Sequence, residues 1–209
     1  MQRLRGWFKP ESDAGVITVV SGLPRSGTSM MMQMLQAGGM PVLIDDHRQP
    51  DASNPAGYYE YALVKRLHKG DNGWLNQAQG KAVKVISALL THLPPTQRYR
   101  VLLMDRDLDE IIRSQQVMRQ RLASETGAFD AAAMQTEFST HLDSVKAWLA
   151  SQSHIQTLHI AYADVIAQPD QHAAMINRFC GGKLDQNRMA AAVQHDLYRE
   201  RKGKIQTDG

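Results

Sequence analysis

A chain of 209 residues has room for one α/β domain or at most two small ones. Hydrophobic residues make up 43% and charged residues 22%, close to the averages of globular proteins, which excludes a disordered or fibrous chain. The net charge of +3 is too small to bind a polyanion through bulk charge, so we expect no nucleic-acid partner, and any anion must bind at a local site. The single cysteine excludes an internal disulfide, residues 1–15 lack the apolar core of a signal peptide, and no apolar run approaches the roughly 18 residues of a membrane span. We therefore expect a soluble, cytoplasmic protein.

The beginning of the chain predicts a strand, a loop, a helix and a second strand. Residues 16–20 form a β-branched run of the kind found in strands buried on both faces. Residues 22–27 form a loop, and residues 28–36 carry apolar side chains at helical spacing. Residues 41–44 predict another short strand.

Residues 45–80 are the least regular part of the chain, rich in Asp, Asn, Gly, Pro and aromatic residues. One short helix is predicted within them, at 61–68. An irregular segment of this length inside a compact domain is usually functional, so we predict a lid or a substrate loop here.

The rest of the chain predicts strands that alternate with helices. Strands are predicted at 83–86, 100–104 and 157–161, and helices at 108–122, 131–152, 170–180 and 186–197. Asp107 and Glu110 form a capping-box-like pair at the start of one helix. This order predicts a three-layer α/β fold with a mostly parallel central sheet of about five strands flanked by helices. Without a repeat or a linker, we expect one domain over residues 16–198, between an N-terminal extension at 1–15 and a basic tail at 199–209.

The loop after the first strand has the glycine spacing of a phosphate loop. Gly22 and Gly27 match the pattern G-x-x-x-x-G, but Thr28 stands where the lysine of an ATP-binding loop belongs. Such a turn still directs backbone N–H groups at a phosphate, and the N-terminus of the following helix adds roughly half a positive charge. The lysine is missing, and no strong Mg²⁺ carboxylate ends a buried strand, although Asp105 stays a candidate, so we expect phosphate binding without ATP hydrolysis. The alternative is a strand–helix turn that binds no ligand.

The same loop resembles the 5′-phosphosulfate loop of sulfotransferases that use 3′-phosphoadenosine 5′-phosphosulfate (PAPS), which reads Pro-Lys/Arg-Ser-Gly-Thr-Thr/Ser. The matching residues are Pro24, Arg25, Ser26, Gly27, Thr28 and Ser29. The resemblance covers about residues 16–182 and implies a fold like that of the P-loop NTPases. It also implies PAPS as the co-substrate, 3′,5′-ADP as the product and no required metal.

A second motif resembles the segment that binds the 3′-phosphate in the same family. There, an arginine at the end of a strand and a serine eight positions later hold this phosphate, and here Arg106 and Ser114 have that separation (114 − 106 = 8). Open α/β sheets bind ligands at the carboxyl ends of their strands, which is where Arg106 is predicted to lie. The alternative is a solvated arginine and a serine on a helix surface.

Two further segments resemble the family less completely. Residues 158–169 match its strand, Tyr-Glu-Asp-Leu turn and proline, except that Ala163 replaces the glutamate, so Tyr162 and Asp164 are interpreted as shaping a turn. In the basic tail, Arg-Lys-Gly resembles a C-terminal segment that also reaches the 3′-phosphate in the family. The residues concerned are Arg201, Lys202 and Gly203, and the alternative for them is a solvated tail.

Sulfuryl transfer needs cations near the transferring group and a base for the proton of the acceptor. Arg25 fits the first role, and Lys84 in the third predicted strand could supply a second cation. For the base we predict Glu60, followed by His47, both in the irregular segment. His92 lies in Thr-His-Leu-Pro, which is similar to the family's Lys-Thr-His but lacks the lysine, so it is interpreted as a loop histidine.

The leading hypothesis is a PAPS-dependent sulfotransferase acting on a hydroxyl or amine. The alternatives are a divergent nucleoside or nucleotide kinase, which Thr28 disfavours, and a nucleotide-binding module without activity. The acceptor can be a small molecule, a glycan or a lipid, because residues 45–80 carry no diagnostic pattern.

Overall fold

The central sheet has four parallel strands in the part of the chain that the computed structural model describes, which is residues 15–45, 57–122 and 130–194. The strands are β1 (Ile17–Gly22), β2 (Ala82–Lys84), β3 (Tyr99–Asp105) and β4 (Ile155–Ala161). Their order across the sheet is β2-β1-β3-β4, and every pair is parallel. Strand β1 lies inside the sheet and is buried along its whole length, as its β-branched sequence predicts.

Helices connect the strands and cover both faces of the sheet. The α-helices are α1 (Thr28–Ala37), α2 (Leu75–Ala78), α3 (Leu108–Leu122), α4 (Ala131–Ser151), α5 (Tyr162–Ala167), α6 (Pro169–Phe179) and α7 (Gln186–Ala191). Two 3₁₀ helices span Ala62–Lys69 and Ser87–His92. The predicted cap of α3 is present, because the Asp107 carboxylate accepts hydrogen bonds from the backbone of Asp109 and Glu110.

Each face of the sheet buries its own apolar cluster. On one face, side chains of β1–β3 pack against Val145 and Leu149 of α4 and against Trp74. On the other face, Val20 and its neighbours pack against the methionines of α1 and against α5–α7. The methionines of α1 are therefore core residues, and the predicted three-layer α/β architecture is confirmed.

The structure corrects the predicted number of strands and some element bounds. The predicted strand at 41–44 forms only an isolated bridge between Val42 and Ala82. The chain turns away after it, since the N–H of Asp45 donates to the carbonyl of Glu60 at 2.9 Å, so the described sheet has four strands instead of about five. Strand β2 ends at Lys84 instead of residue 86, and the short helix predicted at 61–68 is a 3₁₀ helix. None of the described helices is long and apolar enough to cross a membrane.

Gly27 is required both by its backbone conformation and by the space around it. It caps the N-terminus of α1 with φ of 99°. A Cβ atom at this position would lie 2.3 Å from Cδ2 of Tyr162, whereas a Cβ at Gly39, which has φ of 94°, would contact nothing within 4 Å.

Comparing Gly27→Ala with Gly39→Ala should separate these two effects. Both variants place an L-residue in the left-handed region, at a cost of about 1–2 kcal/mol. We expect the free energy of unfolding to fall by roughly 1–3 kcal/mol more in Gly27→Ala than in Gly39→Ala, because the ring of Tyr162 must move out of a packed position. Urea unfolding measures both free energies, and equal losses would show that Tyr162 does not constrain the loop.

Candidate functional site

The loop between β1 and α1 forms a tight turn at the carboxyl edge of the sheet. Gly22 allows the turn to close, because a Cβ there would lie 2.4 Å from Oγ of Ser26 and 2.8 Å from the carbonyl oxygen of Met104. Oγ of Ser26 is buried and has no hydrogen-bond partner among the described residues. The amides that begin α1 follow directly, and the first N–H groups of a helix have no partner within it. The loop therefore offers a buried hydroxyl and a helix N-terminus to an anion.

The two predicted phosphate motifs lie in contact, although they are far apart in sequence. Nε of Arg25 donates a hydrogen bond of 2.9 Å to Oγ of Ser114 on α3. Nη1 of Arg106, which directly follows β3, donates at 3.0 Å to the backbone carbonyl of Arg25. Arg25 has a left-handed φ of 74°, which is unusual for a residue with a side chain.

Arg106 is held on two further sides. Its Nε forms a 3.0 Å ion pair with Glu110 on the next turn of α3, and both side chains are nearly buried, at 9% and 3% exposed. Its guanidinium carbon lies 4.6 Å from the ring centroid of Tyr162, within the range of a cation–π interaction. Tyr162 thus contacts both Arg106 and the backbone at Gly27, which extends the scaffold role predicted for it.

Lys84 reaches the start of α1 from the end of the neighbouring strand. Its Nζ donates to the carbonyl of Tyr58 at 2.8 Å and lies 3.5 Å from Oγ of Ser29. Lys84 therefore joins the phosphate loop to the segment that carries Glu60. Glu60 is half-buried, and its carbonyl accepts from the N–H of Asp45.

Two more polar pairs lie beside this edge of the sheet. Asp105, the carboxylate that the sequence left as a candidate ligand of Mg²⁺, forms a 2.8 Å ion pair with Lys146 of α4. Burial lowers the pKa of His159 on β4, and the positive charge of Lys146 contributes a smaller part of this shift. Oγ of Ser87, the first residue of the second 3₁₀ helix, lies 2.9 Å from Nε2 of His141 on α4.

The structure thus brings together most of the residues that the sequence predicted for one site. The loop residues 24–29, Lys84, Arg106 and Ser114 are joined by the contacts described above. Four predicted residues lie outside the described part of the chain: His47, Arg201, Lys202 and Gly203. The pair of Ser87 and His141 was not predicted, because no sequence pattern joins residues 54 positions apart on different elements.

The fold and the family of the chain follow from comparison with known proteins. Among solved structures, the chain is similar to a sulfotransferase domain from the curacin biosynthetic pathway, with a TM-score of 0.53 and 16% identity, covering 89% of this chain and 80% of that one. It is also similar to the sulfotransferase domain from the Synechococcus PCC 7002 olefin synthase, with a TM-score of 0.50 and 16% identity, covering 93% and 83% of the two chains. At these identities the two likenesses show a shared fold. No significant match was found among curated protein sequences.

The family model of the sulfotransferase domain matches residues 17–206, which is most of the chain and includes both phosphate motifs. The protein therefore belongs to the sulfotransferase family, whose activity is the transfer of a sulfuryl group.

Proposed function

We propose that the protein transfers the sulfuryl group of PAPS to a hydroxyl or amine acceptor and releases 3′,5′-ADP. The observation that carries the proposal is the 2.9 Å contact between Arg25 and Ser114. The sequence assigns Arg25 to the 5′-phosphosulfate and Ser114 to the 3′-phosphate, so their contact supports a single site for a nucleotide that bears both groups. The family match is to sulfotransferases, which disfavours a divergent kinase.

The residues of the loop fit a phosphosulfate. The buried Oγ of Ser26 lacks a partner among the described residues, so its hydroxyl is available to an anion. The N-terminus of α1 adds roughly half a positive charge, and Arg25 adds a full charge with a forked donor geometry. In this proposal Pro24, Gly27, Thr28 and Ser29 complete the turn around the 5′ group.

The 3′-phosphate is proposed to bind Arg106 and Ser114 at the carboxyl edge of the sheet. The ion pair with Glu110 and the ring of Tyr162 already fix the Arg106 guanidinium, so little side-chain freedom is lost when an anion binds. Arg201, Lys202 and Gly203 stay a sequence prediction for the same phosphate.

Charge stabilisation and positioning should provide most of the rate, as in phosphoryl transfer. Arg25 belongs to the loop and Lys84 reaches it from the end of β2. In this proposal both stabilise negative charge on the transferring group and on the 5′-phosphate that leaves. The proposed reaction uses no metal ion and forms no covalent intermediate on the protein.

The acceptor is proposed to bind beside residues 57–61, because Lys84 joins this segment to the phosphate loop through the carbonyl of Tyr58. A small molecule, a glycan and a lipid stay the sequence predictions for the acceptor. Glu60 and His47 stay the sequence predictions for the residue that removes the acceptor proton.

Binding of 3′,5′-ADP should raise the melting temperature of the protein. At 100 times its dissociation constant, a ligand that binds only the folded state stabilises it by about 2.7 kcal/mol. ATP should give a much smaller shift, because it lacks a 3′-phosphate. Differential scanning fluorimetry measures both shifts, and equal shifts would contradict the assignment of a 3′-phosphate site.

Ser114→Ala should weaken binding of 3′,5′-ADP roughly 10- to 100-fold, the expected loss for a hydrogen bond to a charged group. Binding of 5′-AMP should change little, because it lacks the group that Ser114 binds. Ser144→Ala is the matched control, since Ser144 is exposed on α4 and donates to the carbonyl of Thr140 one turn earlier. Calorimetric titration gives the affinities, and an equal loss for both nucleotides would remove Ser114 from the 3′ site.

Lys84→Met should lower the rate of sulfuryl transfer about 10²-fold, the usual effect of removing one charge-stabilising donor. The affinity for 3′,5′-ADP should fall much less. Release of 3′,5′-ADP from PAPS, with phenol as the acceptor probe, measures the rate. The control is Lys81→Met, which removes a partly exposed lysine just before β2. A similar loss in both variants would contradict the role of Lys84.

A further inference from the structure

Ser87 and His141 form a polar pair close to Lys84 that the proposed site does not use. Ser87 is buried and follows Lys84 by three residues, at the point where the chain leaves the carboxyl end of β2. Its Oγ lies 2.9 Å from Nε2 of His141, which is partly exposed on α4. The buried hydroxyl of Ser87 therefore fixes Nε2 of the imidazole and leaves Nδ1 outside this contact.

The packing of α4 shows where His141 lies along the sheet. Val145 and Leu149 pack against the strands, whereas Leu142, one turn earlier, packs against Leu23 of the phosphate loop. The helix thus passes from the carboxyl edge of the sheet towards its amino edge. His141 precedes Leu142 directly, and its contact with Ser87 places its ring beside the chain that follows β2.

We propose that His141 is the general base of the transfer reaction and that Ser87 is its positioning residue; this inference rests on the proposed function. When Nε2–H donates to Oγ of Ser87, the lone pair of Nδ1 is left to accept a proton. The acceptor O–H or N–H gives its proton to Nδ1 while its lone pair forms the new bond to sulfur. The bond between sulfur and the bridging oxygen breaks, and its electron pair stays on the 5′-phosphate of 3′,5′-ADP. The proton later leaves the imidazolium for solvent.

The proposed base lies on a different part of the chain from the two bases that the sequence predicted. Glu60 and His47 belong to the irregular segment, whereas His141 lies on a 21-residue helix that packs against the sheet. A general base must be held within hydrogen-bond reach of the proton it removes. The contact with Ser87 holds the imidazole beside the chain segment that carries Lys84, which supports this role.

The test compares two acceptor probes that differ in their need for a base. In His141→Gln, transfer from PAPS to an aliphatic alcohol should fall about 10²- to 10⁴-fold, the usual contribution of general acid–base catalysis. Transfer to a nitrated phenol that is already ionised in mildly alkaline buffer should fall much less, because this acceptor has no proton to lose. A purely structural role would lower both rates equally, and that result would overturn the proposal.

His92→Gln is the matched control, because His92 is exposed at the end of the second 3₁₀ helix and should leave both rates unchanged. Glu60→Gln is measured alongside. If Glu60→Gln gives the acceptor-dependent loss and His141→Gln does not, the role belongs to Glu60 and the proposal is wrong.

Ser87→Ala tests the positioning role. It should lower kcat for the alcohol about tenfold and leave the affinity for 3′,5′-ADP unchanged, whereas Ser87→Thr, which keeps the hydroxyl, should recover much of the rate. Failure of Ser87→Thr to exceed Ser87→Ala in a folded protein would exclude the hydrogen bond as the cause.

A titration without an acceptor distinguishes this proposal from the one on which it rests. The imidazole resonance of His141, assigned through its absence in His141→Gln, should shift when 3′,5′-ADP binds and shift less with adenosine 3′-phosphate, which lacks the 5′ group. If 3′,5′-ADP fails to bind the unmodified protein, the proposed function is wrong. If it binds and the resonance stays in place, His141 does not face the reacting group and this inference alone is wrong.

Discussion

The hydrogen bond from Arg106 to the carbonyl of Arg25 is the contact on which the site depends most. Arg25 has a left-handed backbone, which costs about 1–2 kcal/mol for a residue with a Cβ, and it persists only where surrounding contacts determine it. Arg106 provides such a contact from the end of β3. The same guanidinium is a candidate ligand of the 3′-phosphate, so the shape of the loop and the second phosphate site are fixed by one side chain.

Two different interactions keep that side chain in place. The carboxylate of Glu110 compensates its charge, which a nearly buried arginine requires, and the ring of Tyr162 covers its face. The ring of Tyr162 also occupies the space that a side chain at position 27 would need. The start of α5 therefore supports both phosphate motifs at once, and the loop is preorganised by elements that follow it by more than 130 residues. Preorganisation of this kind lowers the ordering cost of binding a ligand.

The sequence predicted the fold and the phosphate motifs because both depend on local patterns. The β-branched run at 16–20 and the apolar spacing of α4 identify elements by period alone, and Arg106 and Ser114 share one strand–helix unit. The strand predicted at 41–44 was wrong for a non-local reason. Its bridge partner lies in β2, which is only three residues long, and the chain turns at Asp45 towards Glu60 instead of continuing the ladder. No local pattern contains that information.

The pair of Ser87 and His141 could not be predicted from local sequence patterns either. Neither residue has a motif around it, and they meet because α4 crosses the sheet close to the end of β2. The position of His141 depends on helix packing. The position of the segment near Glu60 depends on a few hydrogen bonds, such as the one from Lys84 to the carbonyl of Tyr58. In the proposed mechanism, different parts of the chain meet two requirements of sulfuryl transfer. The proposed charges and base are held by the sheet and its helices, and the segment beside them can differ in sequence to suit an acceptor without disturbing those groups.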